Sequence, residues 1–206
     1  MFRDILTEEQ TKLLELLEYF ADRFYLAGGT AIALQLGHRR SLDFDLFTQG
    51  TSVKQTAIQS KINTTKFTIQ RVLFKSEEQI HFIINGIKIT FLAFPFQIEK
   101  KVRVAGKLFM PDLLDLSALK AYALGGRGKW KDYVDLFFIF KEKYTMEQIE
   151  KRGEEIFGNN FSRKLFREQL TYFDDIDYTE VLEYTGQKIN DEEIKDYLRE
   201  LAIGKI

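Results

Sequence analysis

The chain has 206 residues, 45% of them hydrophobic and 14% aromatic, enough apolar material to bury one sizeable core, or two small lobes sharing one, and too much for a disordered tail. Thirty Lys and Arg against 31 Asp and Glu give a formal charge of −1, which argues against a uniformly basic nucleic-acid protein and leaves room only for a local basic patch. The absence of Cys removes any disulfide framework, thiolate nucleophile or Cys-ligated zinc, and the presence of only His38 and His81 argues against a protein-built zinc site, so any metal would be a hard, oxygen-bound one.

The opening residues, MFRDILTEEQTK, are charged where a secretory signal needs its apolar stretch, and the uncharged run from Phe24 to His38 is too short and too Gly/Gln-interrupted to span a bilayer. The expectation is a cytoplasmic protein with no membrane partner. Apolar residues at helical spacing from Leu13 to Arg23, after the capping box Thr7-Glu8-Glu9-Gln10, predict a first amphipathic helix. A short strand, FYLA, comes next. Gly28-Gly29 then turns the chain into a short helix, TAIALQLG, and LDFDLF alternates as a strand with Leu42, Phe44 and Leu46 expected in the core. VKQTAIQSKI reads as another helix. TKFTIQRVLFK, QIHFIIN and GIKITFLAFPF read as strands, with Asn85-Gly86 as a tight hairpin turn.

After Pro111 the texture is helical: DLLDLSALKAYAL, a GGRG turn, KWKDYVDLFFIFKEK, and segments opening at Thr145 and Asn190 with capping-box-like residues. The expected lobe junction lies near residue 105, between a 1–105 α/β lobe and a 106–206 helical lobe. Charge is uneven. Lys100 to Lys131 holds eight bases against two acids, and Tyr172 to Glu200 holds ten acids against three bases.

The segment that carries chemistry is Gly28-Gly29-Thr30 followed, thirteen and fifteen residues after Thr30, by Asp43 and Asp45. On a strand these two carboxylates share a face, and two like charges side by side invite a cation such as Mg²⁺, which is held by one or two carboxylates plus substrate phosphates. The glycines let backbone N–H groups approach a triphosphate, with the positive end of the following helix aimed at it. Taken singly, Gly-Gly is only a turn and Asp-x-Asp only a solvated strand face. The weight lies in their combination, with Arg39 and Ser41 between them.

The stretch FYLAGGTAIALQLGHRRSLDFDLF resembles the signature of the AbiEii/AbiGii-type toxin family within the polymerase-β-like nucleotidyltransferase superfamily, with Gly28, Gly29, Thr30, His38, Arg39, Ser41, Asp43 and Asp45 as the matching residues. A second stretch, LSALKAYALGGRGKWKDYVDLFFIF, resembles the family's helical-lobe element and puts Lys120, Arg127, Lys131, Asp132 and Asp135 in family positions. The resemblance implies an α+β fold, a nucleotidyltransferase-like mixed sheet with flanking helices followed by a mostly helical lobe. It implies transfer of a nucleoside monophosphate from an NTP to an acceptor hydroxyl. In that reading Asp43 and Asp45 bind Mg²⁺ (Mn²⁺ the alternative), and Asp43, Asp45, Lys120 and Asp132 form the catalytic set. Gly28, Gly29, Thr30, Arg39, Ser41 and Arg127 contact the nucleotide. An RNA acceptor, notably a tRNA end, and a separately encoded antitoxin complete the expectation. One departure stands out: where many relatives carry a third metal-binding carboxylate, this chain has Thr90, which leaves three readings: Asp132 or Asp135 completes the site from the helical lobe, a water does, or catalysis is weak. The alternatives are a degenerate nucleotide sensor that binds a partner without chemistry, and nucleotide transfer to a protein side chain. Bland readings also stand: His38 as a helix cap, Lys131 with Asp135 as surface i,i+4 support, and Trp130 as a residue partly buried between lobes.

Overall fold

In the computed structural model, which describes residues 1–126 and 128–205, Thr7 caps α1 (Glu8–Glu18) with the full capping box, and Gln10 returns its side chain to the Thr7 N–H. The helix buries Leu13, Leu14, Leu16 and Leu17 and stops at Glu18, earlier than its apolar spacing predicts. β1 (Tyr25–Ala27) runs directly into α2 (Gly28–Leu36), so the two glycines are the first turn of the helix and not a loop before it. β2 (Phe44–Gln49), α3 (Gln55–Asn63), β3 (Ile69–Lys75), β4 (Gln79–Ile84) and β5 (Ile87–Phe94) follow. They build a mixed sheet in the order β1-β2-β5-β4-β3, with β2 and β5 parallel and the other pairs antiparallel. Asn85 and Gly86 both take positive φ, 52° and 75°, as the two-residue turn between β4 and β5 requires.

The two faces of the sheet differ in burial. Ile80, Phe82, Ile84, Ile89, Phe91, Ala93, Phe44 and Leu46 are buried, and Phe20 and Phe24, beyond α1, pack edge-on against Phe91. The opposite face carries Asp43, Asp45 and Phe47 from β2 or just before it, Lys88, Thr90, Leu92 and Phe94 from β5, and His81 from β4. Its apolar end is roofed by the helical half, where Phe94 meets Tyr122 and Phe157. Leu42, expected in the core, is 54% exposed, because β2 begins at Phe44 and the residues before it leave the sheet.

A hairpin that the sequence reading lacked, β6 (Val102–Ala105) and β7 (Leu108–Met110), precedes α4 (Leu113–Leu124) and α5 (Trp130–Glu142). Residue 105, the expected lobe junction, is the last of β6. α6 (Met146–Phe157) opens with a second full capping box at Thr145. α7 (Arg163–Thr171), capped by Ser162, is a further unexpected element, and α8 (Asp191–Ala202) is capped by Asn190. α2 packs on both α4 and α5, and one continuous core runs through both halves. Trp130 is buried among Tyr133, Phe173 and Tyr178. No helix among the described residues is long and apolar enough to cross a membrane.

Candidate functional site

Asp45 lies in register between Ala27 of β1 and Thr90 of β5, and Thr90 is in turn paired with His81 of β4. Asp43 precedes it on the same face, and Lys88 Nζ reaches Asp43 Oδ2 at 2.5 Å with both side chains about one-third exposed, 33% and 29%. Burial lowers the Lys88 ammonium, but the bond to Asp43 and the nearby Asp45 outweigh it and hold this group above its ordinary value. The cross-strand neighbour of Asp45 is therefore Thr90 and not a carboxylate, and the local positive charge is Lys88. The strand alternation could have found it: Lys88 is two residues before Thr90 and shares its face. His81 is held below its ordinary value by burial, with Lys88 adding to the effect, and its Nε2 is 2.9 Å from Gln79 Oε1.

The glycines bring two charged groups to the start of α2. Gly28 has φ +69°, and a Cβ there would collide with Asp45 Oδ2; a Cβ on Gly29 would lie 2.7 Å from Arg39 Nη2. Asp45 thus sits against the N-terminal turn of a helix, where the first N–H groups carry positive partial charge. Thr30 is buried, and its hydroxyl lies 2.8 Å from Ser41 Oγ and against the Asp43 carbonyl. A carbonyl only accepts, so Thr30 spends its one proton on Asp43 and accepts from Ser41. Gln10 Nε2 donates to the Ser41 carbonyl at 2.6 Å. Thr30 and Ser41, expected at the phosphates, are the brace that fixes the backbone beneath Asp43.

The second aspartate pair is different in kind. Asp132 and Asp135, one turn apart on α5, are both fully buried. Lys120, from α4, reaches Asp132 Oδ1 at 2.6 Å and Asp135 Oδ2 at 2.9 Å. Arg39 clasps Asp135 with Nε at 2.7 Å and Nη2 at 3.0 Å, and His38 Nε2 lies 2.8 Å from Asp135 Oδ1. Burial alone would raise Asp135, yet Arg39, Lys120 and the His38 hydrogen bond hold it well below the usual carboxylate range. Three sequence expectations change here. Arg39 is 3% exposed and committed to Asp135 rather than open to a triphosphate; His38 faces Asp135 and does not cap its helix; Asp135 is in the core and not the partner of Lys131, which turns to Glu180. Arg127 lies outside the described residues.

Gly28 and Lys120 share a mostly apolar cleft of about 320 Å³ with Ile32, Phe47, Leu92 and Phe94. Asp43 and Lys88 border a separate open groove beside Leu42, Leu73 and Ile83. Asp43 lines that groove, and Asp45 lies against Gly28 at the end of the cleft. Among the described residues no cluster of three or more His, Asp and Glu forms a metal cage. Two carboxylates on one face, hard donors with one lysine at their edge, fit an ion such as Mg²⁺ that keeps water and phosphate oxygens among its ligands.

Most bases of the basic stretch are paired or buried. Lys101 is paired with Glu99 and Asp112, Arg103 lies over the Phe109 ring, Lys120 is buried, and Lys129 and Lys131 converge on Glu180.

Comparison with known proteins places this geometry. The fold is shared with MenT4, the nucleotidyltransferase toxin Rv2826c from Mycobacterium tuberculosis H37Rv, with TM-score 0.61 and 13% identity over 92% of this chain and 82% of that one. It is shared too with JHP933 from Helicobacter pylori, with TM-score 0.53 and 15% identity over 96% and 92% of the two chains. An uncharacterized protein of Aquifex aeolicus (strain VF5), aq_aa25, is 32% identical over 157 residues, 74% of each chain. The family model described as nucleotidyl transferase AbiEii toxin, type IV TA system, matches residues 13–107, which include the glycine turn, Asp43, Asp45 and Thr90 but not the Lys120–Asp135 element. By this match, by the Aquifex relative and by the arrangement of its glycine turn and strand aspartates, the chain belongs to the AbiEii nucleotidyltransferase toxin family.

Proposed function

We propose that this nucleotidyltransferase moves a nucleoside monophosphate from an NTP to an acceptor hydroxyl, with RNA, notably a tRNA end, as the acceptor class. The observation that carries the reading is the position of Asp43 and Asp45 on one strand face, Asp43 lining the groove with Lys88 and Asp45 lying against Gly28 of the cleft. The cleft suits a nucleoside: Phe47, Leu92 and Phe94 offer apolar surface to a base, while the first N–H groups of α2 offer partial positive charge to its phosphates. The groove suits the acceptor. Its hydroxyl oxygen attacks the α-phosphorus, the bond from that phosphorus to the bridging oxygen of the β-phosphate breaks, and pyrophosphate leaves with the electron pair.

Asp43 and Asp45 would hold a divalent cation, Mg²⁺ or Mn²⁺, which when bound supplies charge neutralisation at the phosphate oxygens. Lys88, already on Asp43, keeps that carboxylate oriented. Thr30 and Ser41 hold the strand entry so that both carboxylates point one way, and Arg39 acts through the Gly29 turn it supports. Asp132 acts through Lys120, which it fixes in place at the cleft. Release of the acceptor proton falls to solvent or to His81, the titratable group in the same cross-strand row as Asp45 and Thr90. A separately encoded antitoxin, in keeping with the type IV assignment of the family, is the expected protein partner.

The test is incubation of the pure protein with each α-labelled NTP, Mg²⁺ or Mn²⁺, and either total RNA or total protein. Label entering RNA with equimolar pyrophosphate is the expected result. Label entering protein replaces the acceptor class, and no pyrophosphate with any acceptor overturns the reading.

A further inference from the structure

The chain between α7 and α8 is an acidic strap laid across the start of α5 and the loop after α2. Its backbone is pinned on both. The Asp177 N–H donates to the Gly128 carbonyl at 2.7 Å and the Asp177 carbonyl accepts from Trp130 N–H at 3.1 Å. Six residues later the Glu183 carbonyl accepts from Arg40 N–H at 2.7 Å, and two further on the Thr185 N–H donates to the His38 carbonyl at 3.2 Å. Between these anchors Glu180 divides its carboxylate between two lysines, Oε1 on Lys129 Nζ at 2.5 Å and Oε2 on Lys131 Nζ. All three side chains keep contact with solvent, at 37%, 34% and 20% exposure. Burial raises the Glu180 carboxyl, but the two lysine hydrogen bonds prevail and bring it down to about 2, and its charge is felt at Arg39 and Lys88, the cations against Gly29 and Asp43. The strap that carries the fork is pinned to the residues on either side of Arg39, whose guanidinium lies against Gly29.

Two ammonium groups that each take one oxygen of the same anion form a receptor for any oxyanion of similar span, and a phosphate brings more charge and one more oxygen than a carboxylate. Neither lysine has a role in holding the core, and both flank the buried Trp130 at the start of the helix that carries Asp132 and Asp135. We propose that Lys129 and Lys131 form a phosphate-binding site which Glu180 closes in the unliganded chain, and that the strap gives way when a phosphate group takes the carboxylate's place. The phosphate comes from the polyphosphate of the nucleotide or from the backbone of a nucleic-acid acceptor. The location beside the reacting groups rests on the transferase reading; the closed anion site itself does not.

Calorimetric titration of wild type and Glu180→Gln with inorganic tripolyphosphate, and separately with a short single-stranded RNA, tests it. One ligand or both should bind Glu180→Gln about tenfold more tightly, the scale of two partly exposed ion pairs released, and adding Lys129→Gln and Lys131→Gln should abolish the gain. The ligand that gains identifies the source of the phosphate. Unchanged or weaker binding of both by a folded Glu180→Gln overturns the proposal. A second measurement needs no variant: hydrogen exchange at the Asp177, Arg40 and Thr185 amides of wild type should quicken when the binding ligand is saturating, and unchanged protection with ligand bound is equally fatal. Pyrophosphate production assayed on the same samples separates the two readings. Tighter binding by Glu180→Gln with no turnover keeps the closed site and removes the transferase assignment, and turnover with unaltered binding does the reverse.

Discussion

Asp43 and Asp45 stand two apart on a strand, partly exposed, with one lysine at their edge; Asp132 and Asp135 stand three apart on a helix, fully buried, with Lys120 against both and Arg39 and His38 closing over Asp135. The ingredients are nearly the same, and burial separates their roles. A carboxylate taken fully out of water is tolerable only when the protein itself neutralises it, so the helix pair is matched internally and serves as the bolt between the two halves. A carboxylate left near water can carry unmatched charge. The strand pair has that surplus, facing the start of α2, and this makes it the place where a ligand's charge can be taken up.

The comparison breaks most visibly at Asp135. Asp135→Asn leaves the Arg39 guanidinium buried without its counter-charge and should cost about 3–5 kcal/mol, lowering the melting temperature by roughly 6–20 °C at about 2–4 °C per kcal/mol for a chain of this size. Urea and thermal unfolding would read it. A loss under about 1 kcal/mol would mean that the buried cluster holds little. Because the native carboxyl lies well below its ordinary 3.8, this stabilisation is complete above pH 3.8 and fades only as pH falls toward the depressed native value.

The strand pair should give the opposite signature. Asp43→Asn and Asp45→Asn should each reduce pyrophosphate release by about a hundredfold or more, while unfolding stays within about 0.5 kcal/mol of wild type. If either variant unfolds as readily as Asp135→Asn, the division between open and closed pairs is wrong. Gly28→Ala sharpens the contrast, since it strains a residue at φ +69° and drives a methyl into Asp45. We expect a cost of about 1–3 kcal/mol together with a loss of the Mg²⁺-dependent thermal shift given by NTP, measured by thermal unfolding with and without the cation.

The smallest expected effect lies at His81. Burial and Lys88 depress it below 6.5, so the neutral ring contributes stability that is complete above pH 6.5 and is lost as pH falls through the native value. Lys88→Gln should move the His81 midpoint upward in a proton NMR titration; an unmoved or lowered midpoint would take Lys88 out of the electrostatics of this face.

Much of this was legible from residues close in sequence. The capping boxes at Thr7 and Thr145 and the Asn85-Gly86 turn depend on local chemistry, and each lies where its residues put it. Strand alternation put Asp43 and Asp45 on one face. Leu42 misled because alternation was extended past the end of the strand. The protein partners of Arg39, Thr30 and Ser41 were hidden for a different reason: Asp135, the Asp43 carbonyl and Gln10 are brought to them by tertiary approach, and a polar side chain in a motif looks the same whether it faces ligand or brace. Glu180 was the least visible, an acid in an irregular acidic stretch whose lysines lie 49 and 51 residues away.

Arg39 and His38 precede Asp135 by 96 and 97 residues, and this spacing sets an order of events during synthesis. While α5 is still unmade, the strand half holds a guanidinium that it cannot bury, so the loop after α2 has no stable resting place and the Gly29 turn lying on it stays loose. The nucleotide end of the site is then completed only when α5 docks, and a chain cut at residue 105 would lose the support beneath its glycines along with the shared core. Unfolding should accordingly be a single transition in which both halves come apart together.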